Sequence, residues 1–389
     1  MTAFKLDFTH SREYSPVNVN WPAAHIHMLP VELLQQVFLL IVNDVPDCPG
    51  VFSYGETTIS ANVGSPPLVF TRVCRFWRVI AHSTTAVWSR MQVSLPGRVE
   101  PLTPFLPSLL QSWLARSGDQ PLTLRILSGE LPVRTTRRCT RQSCHEPSQA
   151  DSQLLGILLS ERKRWGTVTL VSADDWNRDF DTPQLRSLQC CWSELSSFNA
   201  PNLTHLHITY RWSLTMRFRH TPTCDNVRHL WVENASAHVI RSSFLMFPRM
   251  ESIKVDQIRS ENGYPHNSTT HSCLESITFP IPSDPFQQRE VLKIFGELCL
   301  PMLRKLTLVA DPEESEVSCI VAALEIASCD VQVVDFQTTI LLSEVDVDVI
   351  EPLFSVAREV TVHGRCSAVL SGSSTVFLVG DTIVANLGI

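Results

Sequence analysis

Cys139, Cys144 and His145 come closer than any other group in this chain to a metal-binding spacing, because thiolates and imidazoles are the side chains that hold zinc. A zinc site needs a fourth ligand at tetrahedral distance, and no second CxxC or HxxxH spacing supplies one. The surrounding stretch, Gly129 to Asp151, also carries Arg134, Arg137, Arg138 and Arg141. It reads as a solvated basic insertion, and no metal is expected. Nucleophilic catalysis by cysteine and histidine requires the pair within hydrogen-bond reach. With 12 cysteines and 13 histidines, chance pairs are too many for number alone to mark one. Cys74 and Cys190 fall on apolar faces and read as packing, while Cys191 falls on the opposite strand face. The 14 glycines form no GxGxxG, GxxxxGK[ST] or GxSxG, so the turns that cradle phosphate or expose a serine nucleophile lack their signature. HExxH is also absent, since His145-Glu146 is followed by Pro147. Neither a catalytic residue nor a cofactor is expected.

The elements that position side chains come next. A chain of 389 residues exceeds one ordinary domain and predicts two or three units or an elongated array. Hydrophobic residues reach 44% and charged ones only 18%, enough to bury a large core. A formal net charge of -7 offers no footprint for phosphate backbones or anionic lipid, so neither nucleic acid nor membrane is expected as a partner. Met1 to His27 lacks the apolar stretch of a secretion signal, and the longest apolar run, Val37 to Val42, has six residues. The expected location is cytoplasmic or nuclear, with the cysteines reduced.

From Leu29 to Val42 the pattern is helical, with Pro30 suited to the first turn. Its apolar residues span an arc of about 200°, twice the stripe a helix needs to face one core. A polar stretch from Asn43 to Ser65 follows, and Pro66-Pro67 then opens a second amphipathic helix through Ala81. Phe70, Trp77 and Ile80 lie on its apolar side, and Arg72, Arg75 and Arg78 on the other. Trp88, Met91 and Val93 lead into extended structure.

The strings Leu29-Pro30-Val31-Glu32-Leu33-Leu34 and Val73-Cys74-Arg75-Phe76-Trp77-Arg78-Val79-Ile80-Ala81, followed by Trp88, resemble an F-box of the fungal type. The resemblance covers about residues 26 to 92, and the 43–65 insertion departs from the family's shorter link. It implies docking to the Skp-type adaptor, and through it to a cullin, of a ubiquitin ligase. The adaptor-binding edge is then Leu29, Pro30, Leu33, Leu34 and Val37. The rival reading of the surplus apolar arc is that it packs on the protein's own remaining chain.

Beyond residue 93, apolar-x-x-apolar-x-apolar recurs six times, anchored at Leu185, Leu203, Val227, Met250, Leu274 and Leu303. The anchors are 18, 24, 23, 24 and 29 residues apart, broadly a leucine-rich-repeat period. Weaker copies start at Pro121, Trp165, Val331 and Ala357. Helices are predicted at 104–116, 152–164, 286–298 and 313–327, with a further one opened by Ser343. Repeated strand and helix predict an α/β solenoid with a parallel sheet, since one repeat cannot bury its apolar face alone. This resembles the leucine-rich-repeat-like region following many F-boxes. The family's asparagine after each strand is missing, replaced by Arg211, Ala235, Ile258, Pro282 and Asp311. The expected organisation is thus a tail (1–25), an F-box-like helical domain (26–92) and a repeat solenoid (93–389).

Alternation along each strand places the intervening residues on the other sheet face. Among these, His207, Trp231 and Lys254 on consecutive repeats form the expected target-binding row, with cover by an adjacent loop as the rival reading for Trp231. The reading as a whole is a substrate receptor with no catalysis of its own, its target a protein not identified by the sequence. The alternative is a protein-interaction scaffold acting outside a ubiquitin ligase.

Overall fold

A computed structural model describes residues 26, 29–44, 47–54, 59–96, 104–128, 148–171, 179–209, 224–260, 269–282, 284–296, 298–310, 317–327, 329–341, 351–365, 376–379 and 382–386. The fold is α/β and built on one sheet of thirteen strands. These are β1 (Arg90–Leu95), β2 (Leu122–Ser128), β3 (Trp165–Val171), β4 (Ser187–Cys190), β5 (His205–Ile208), β6 (His229–Ala235) and β7 (Ser252–Ile258), then β8 (Ser276–Pro280), β9 (Lys305–Ala310), β10 (Val331–Leu341), β11 (Ala357–Arg365), β12 (Val376–Val379) and β13 (Thr382–Asn386). The first 11 are parallel to one another and lie side by side in chain order. β13 then pairs antiparallel with β11, and β12 antiparallel with β13.

The repeat is legible in the register. Leu188, Leu206, Leu230, Ile253, Ile277, Leu306, Val334 and Val360 form one continuous cross-strand row, and all are buried. Two residues further along each strand, Cys190, Ile208, Val232, Val255, Phe279, Leu308, Phe336 and Val362 are buried as well. Because each row is one residue thick and continuous, a strand shifted by one position would turn its whole apolar set to the other face. The weaker copies at Pro121, Trp165, Val331 and Ala357 all run into parallel strands, and Trp88, Met91 and Val93 give β1 the same pattern.

The missing asparagines have a replacement on the other side of the strand. Asn202 donates its side-chain amide to the Pro183 carbonyl (2.7 Å), and Asn226 donates to the Pro201 carbonyl (2.6 Å). Arg249 donates in turn to Asn226 Oδ1 (2.7 Å). The turns entering β5, β6 and β7 are therefore each tied to the turn before, and the first two of these bonds satisfy carbonyls that proline turns leave open.

Helices follow several strands: α4 (Phe105–Arg116), α5 (Gln149–Ser160), α7 (Ala237–Met246), α8 (Pro285–Phe295) and α9 (Ser318–Ile326), with a single turn, α6 (Trp192–Leu195), after β4. α4 ends where Gly118 takes a positive φ of 55°, a conformation costly for residues with a Cβ. Asp284 caps α8 by accepting from the Phe286 and Gln287 amides. α8 stops at Phe295, short of the expected 298, because Leu298–Cys299 pairs as a strand with Thr269–Thr270. α5 starts earlier than expected, with Ser148 as its cap, and its last expected turn is a separate 3-10 turn, Arg162–Arg164. The sequence reading missed α7, although the Ser236 side chain accepts from the Val239 amide as an ordinary N-cap. The helix expected from Ser343 lies outside the described residues.

At the front stand α1 (Val31–Asp44), α2 (Phe70–Val73) and α3 (Arg75–Ser83). One helix was expected from Pro66-Pro67 through Ala81, but the chain breaks it at Cys74, which is extended (φ -156°, ψ 173°). The thiol does not pack as a core group there. Its sulfur accepts from the Trp77 amide and so caps α3. The break resets the helical phase, leaving Phe70, Ile80 and Ala81 buried and Val73, Phe76 and Val79 exposed. Phe38 of α1 stacks on Phe70 (4.3 Å between centroids) with Trp77 tilted against it at 5.0 Å.

The insertion has a structural role the sequence did not reveal. Phe52–Tyr54 and Ile59–Ala61 form a small antiparallel ribbon. The segment just before it lies along the outer edge of β1: Val51 N–H donates to the Gln92 carbonyl (3.0 Å), and Gln92 N–H to the Pro49 carbonyl (2.7 Å). The Tyr54 hydroxyl donates to the Ser94 carbonyl two residues further on. An open strand edge invites pairing with other chains, and here the protein's own insertion occupies it.

Candidate functional site

Adjacent strands bring the expected trio together. His207, Trp231 and Lys254 are direct cross-strand partners on β5, β6 and β7. The His207 ring lies flat on the Trp231 ring, with centroids 3.8 Å apart and planes 5° from parallel. From the strand on the other side, Lys254 Nζ sits 3.9 Å from the indole centroid. Two acidic residues that the sequence reading did not select complete the group. Each lies two positions further along its strand, hence on the same face: Glu233 after Trp231, and Asp256 after Lys254. Trp231 Nε1 donates to Asp256 Oδ2 (2.7 Å), and Asp256 Oδ1 also pairs with Lys254 Nζ (3.2 Å). His207 Nε2 lies 3.6 Å from Glu233 Oε1.

Among the described residues His207 and Lys254 hold the two faces of the Trp231 ring. The side chain is 37% exposed and presents an edge, so it cannot bury a whole indole face against a target.

The same row continues across Thr278 and Thr307 to Asp335 and Thr361 on β10 and β11. Asp335 is buried, and Lys305 Nζ approaches its Oδ2 at 2.5 Å. Thr361 donates its hydroxyl to Oδ1, and His363 Nε2 lies 3.9 Å from that oxygen. Burial alone would raise this carboxyl. The Lys305 and Thr361 hydrogen bonds and the nearby charges outweigh it and hold Asp335 below the ordinary carboxylate value. Sequence spacing gave no warning of this cluster, because its members lie on three strands and meet only through register.

The row makes one pH effect predictable. Burial pushes His207 below the ordinary histidine value of 6.5, with Glu233 and Asp256 pulling it back only in part. His205 is lowered by burial and by His229, whose ring lies 4.5 Å away. A histidine lowered by folding binds its proton more weakly folded than unfolded. The stability from keeping it neutral is therefore complete above the unfolded value and is lost as pH falls through it. Thermal melts are expected to shift downward from about pH 7.5 to about pH 5.5, and His207→Gln to shrink the shift. A melting temperature that rises on acidification would contradict these assignments.

The second surface is the front helices. α1 buries Leu34, Phe38 and Val42 at i, i+4 and i+8, and carries a parallel apolar stripe beside them in Leu33, Val37, Leu40 and Ile41. Leu33 is 51% exposed and Leu40 67%, while Val37 is half-buried. Leu29 and Pro30 are exposed just before the helix. Leu34 is fully buried, so it belongs to the core and not to the expected docking edge. On the α2 and α3 side, Val73 and Val79 are 55% and 66% exposed.

A scan of protein-family models and a search of curated proteins return no match to this chain. Among the described residues no helix is long and apolar enough to cross a membrane, and no group of three or more His, Cys, Asp or Glu could hold a metal ion. Cys139, Cys144 and His145 lie outside the described residues.

Proposed function

We propose that the chain is the target-binding subunit of a Skp, cullin and F-box type ubiquitin ligase. In this reading residues 26–92 are the F-box, docking to the Skp-type adaptor, and the parallel ladder is a leucine-rich-repeat-like solenoid that holds a target protein. The protein has no catalytic residue or cofactor of its own and works in the cytoplasm or nucleus. The chemistry belongs to the ligase's other subunits.

One observation carries the adaptor half of this reading. α1 has two apolar stripes and the described chain covers only one of them. Leaving Leu33, Leu40 and Ile41 in water is unfavourable, at about 25 cal/mol per Å² of apolar surface. Such a patch is characteristic of a protein interface. The rival reading, that the whole arc packs on the protein's own chain, fits Leu34 and not Leu33 or Leu40 among the described residues. For the target half, the support is a sheet face whose side chains are already locked to one another, so that little ordering entropy is lost on binding.

The test is reconstitution. The purified chain is mixed with a Skp-type adaptor and cullin and passed over a sizing column. Co-elution at about one to one is expected for a specific interface of standard size. Failure to co-elute would leave a scaffold acting outside a ligase as the better description.

A further inference from the structure

The register of the parallel ladder slips at two places, within β10 and at the start of β3. At β3, Leu122 pairs with Trp165 and Thr123 with Thr167, so Gly166 is an extra residue with no partner across the ladder. Such a bulge bends its strand and opens the sheet locally. Gly166 has no side chain to fill the opening, and a Cβ there would come within 3.2 Å of Pro121. A cavity of about 740 Å³ lies at this point, with Pro121, Pro183, Thr123, Thr167 and Arg186 among the residues that line it.

Arg186 and Arg304 are the two strand-entry arginines with no acidic partner among the described residues, and of the two Arg186 lines this cavity. The Arg186 backbone is fully used: the amide donates to the Gly166 carbonyl (2.8 Å), and its carbonyl accepts from the Thr204 and His205 amides. The residue is exposed, and its guanidinium makes no ion pair or hydrogen bond among the described residues. Arg228, in the next arginine position of the same edge, is held at 2.5 Å by Glu251, and Arg358 is held at 2.9 Å by Asp330. Thr123 and Thr167 also keep uncommitted hydroxyls. An open fork of N–H donors beside two hydroxyls, between proline walls that offer no N–H of their own, suits an oxyanion at the end of a side chain.

We infer that this groove receives an acidic side chain of the bound target, with Arg186 making the paired hydrogen bonds and Thr123 and Thr167 completing the oxygen shell. The inference rests on the target-receptor reading and adds where the target anchors and by what chemistry. Carboxylate and phosphorylated side chains present the same oxyanion, and the groove is roomy enough for either.

An array of short peptides, in which each sequence appears with glutamate, phosphoserine or glutamine at its centre, is probed with the purified full chain. Retention of glutamate or phosphoserine peptides over their glutamine twins is expected, and Arg186→Gln should weaken it about tenfold or more. Thr167→Val keeps the shape of the side chain and should weaken it several-fold. Arg228→Gln, outside the groove, should leave it unchanged. Glutamate-only or phosphoserine-only retention identifies the source of the oxyanion and supports the site if Arg186→Gln abolishes it. No preference for the acidic peptides, or a preference that survives Arg186→Gln, overturns the inference. Because neither adaptor nor cullin is present, this outcome is independent of the reconstitution: co-elution without acidic retention removes only the groove, and retention without co-elution removes only the ligase.

Discussion

Trp88→Ala is expected to cost about 3 to 5 kcal/mol, a large share of the roughly 5 to 15 kcal/mol that holds a protein folded. The indole is completely buried where the front helices meet β1, edge-on to Trp113 at 5.3 Å. Its Nε1 donates to the Ala81 carbonyl at the end of α3 (2.7 Å), while Trp113 Nε1 donates to the Trp88 carbonyl (3.0 Å). Truncation would therefore open a cavity and orphan a buried carbonyl together. Trp77, on the apolar side of its helix in the sequence reading, sits at the rim of the front cluster: it is half-buried, and its Nε1 has no acceptor among the described residues. Trp77→Ala should cost less, roughly 1 to 3 kcal/mol. Urea titrations of the two variants check the order, read from the midpoints at unchanged slope. Equal losses would mean that the two halves of the molecule do not depend on the Trp88 joint.

Leu33→Asp combined with Leu40→Asp is expected to weaken adaptor retention more than about a hundredfold while leaving the melting temperature almost unchanged. Both side chains point to water, so a carboxylate there costs the free protein little and would be buried unpaired in the complex. Leu34→Ala, one residue along, should instead lower stability by about 2 to 5 kcal/mol, because that side chain is fully buried. The pair of results separates core from interface on one helix. If the double aspartate variant unfolds, the stripe is intramolecular packing and adaptor docking must be sought elsewhere.

The strands were legible because their signal is local: an apolar-x-x-apolar-x-apolar string needs no knowledge of its neighbours, and even the weak copy at Pro121 marks a strand. The trio His207, Trp231 and Lys254 was legible for the same reason, since equal offsets within successive repeats become cross-strand neighbours once the sheet is parallel. What the trio does was not legible. That both indole faces are taken depends on side-chain distances of 3.8 and 3.9 Å, which spacing cannot fix. The break at Cys74 was missed because periodicity carries through Val73 and Arg75 without interruption, and only the thiol's bond to the Trp77 amide turns the residue into a cap. The arc on α1 was read correctly as surplus. Assigning Leu34 and Leu33 to opposite fates needed the positions of Phe70 and Trp77 against Phe38.

The way the parallel ladder is stopped at each end bears on how such a protein can change in length. At the front, Pro49 to Val51 occupies the outside of β1, and at the back β13 runs the opposite way along the outside of β11. A duplicated repeat appended at either end would meet a strand position already taken, and at the back one of the wrong polarity. Gain or loss of repeats is confined to the interior, between β2 and β10, where each unit is flanked by two like itself. Duplication there would move the Arg186 groove and the Lys305–Asp335 cluster apart or together by whole strand widths, resetting the span of the face without remaking either group.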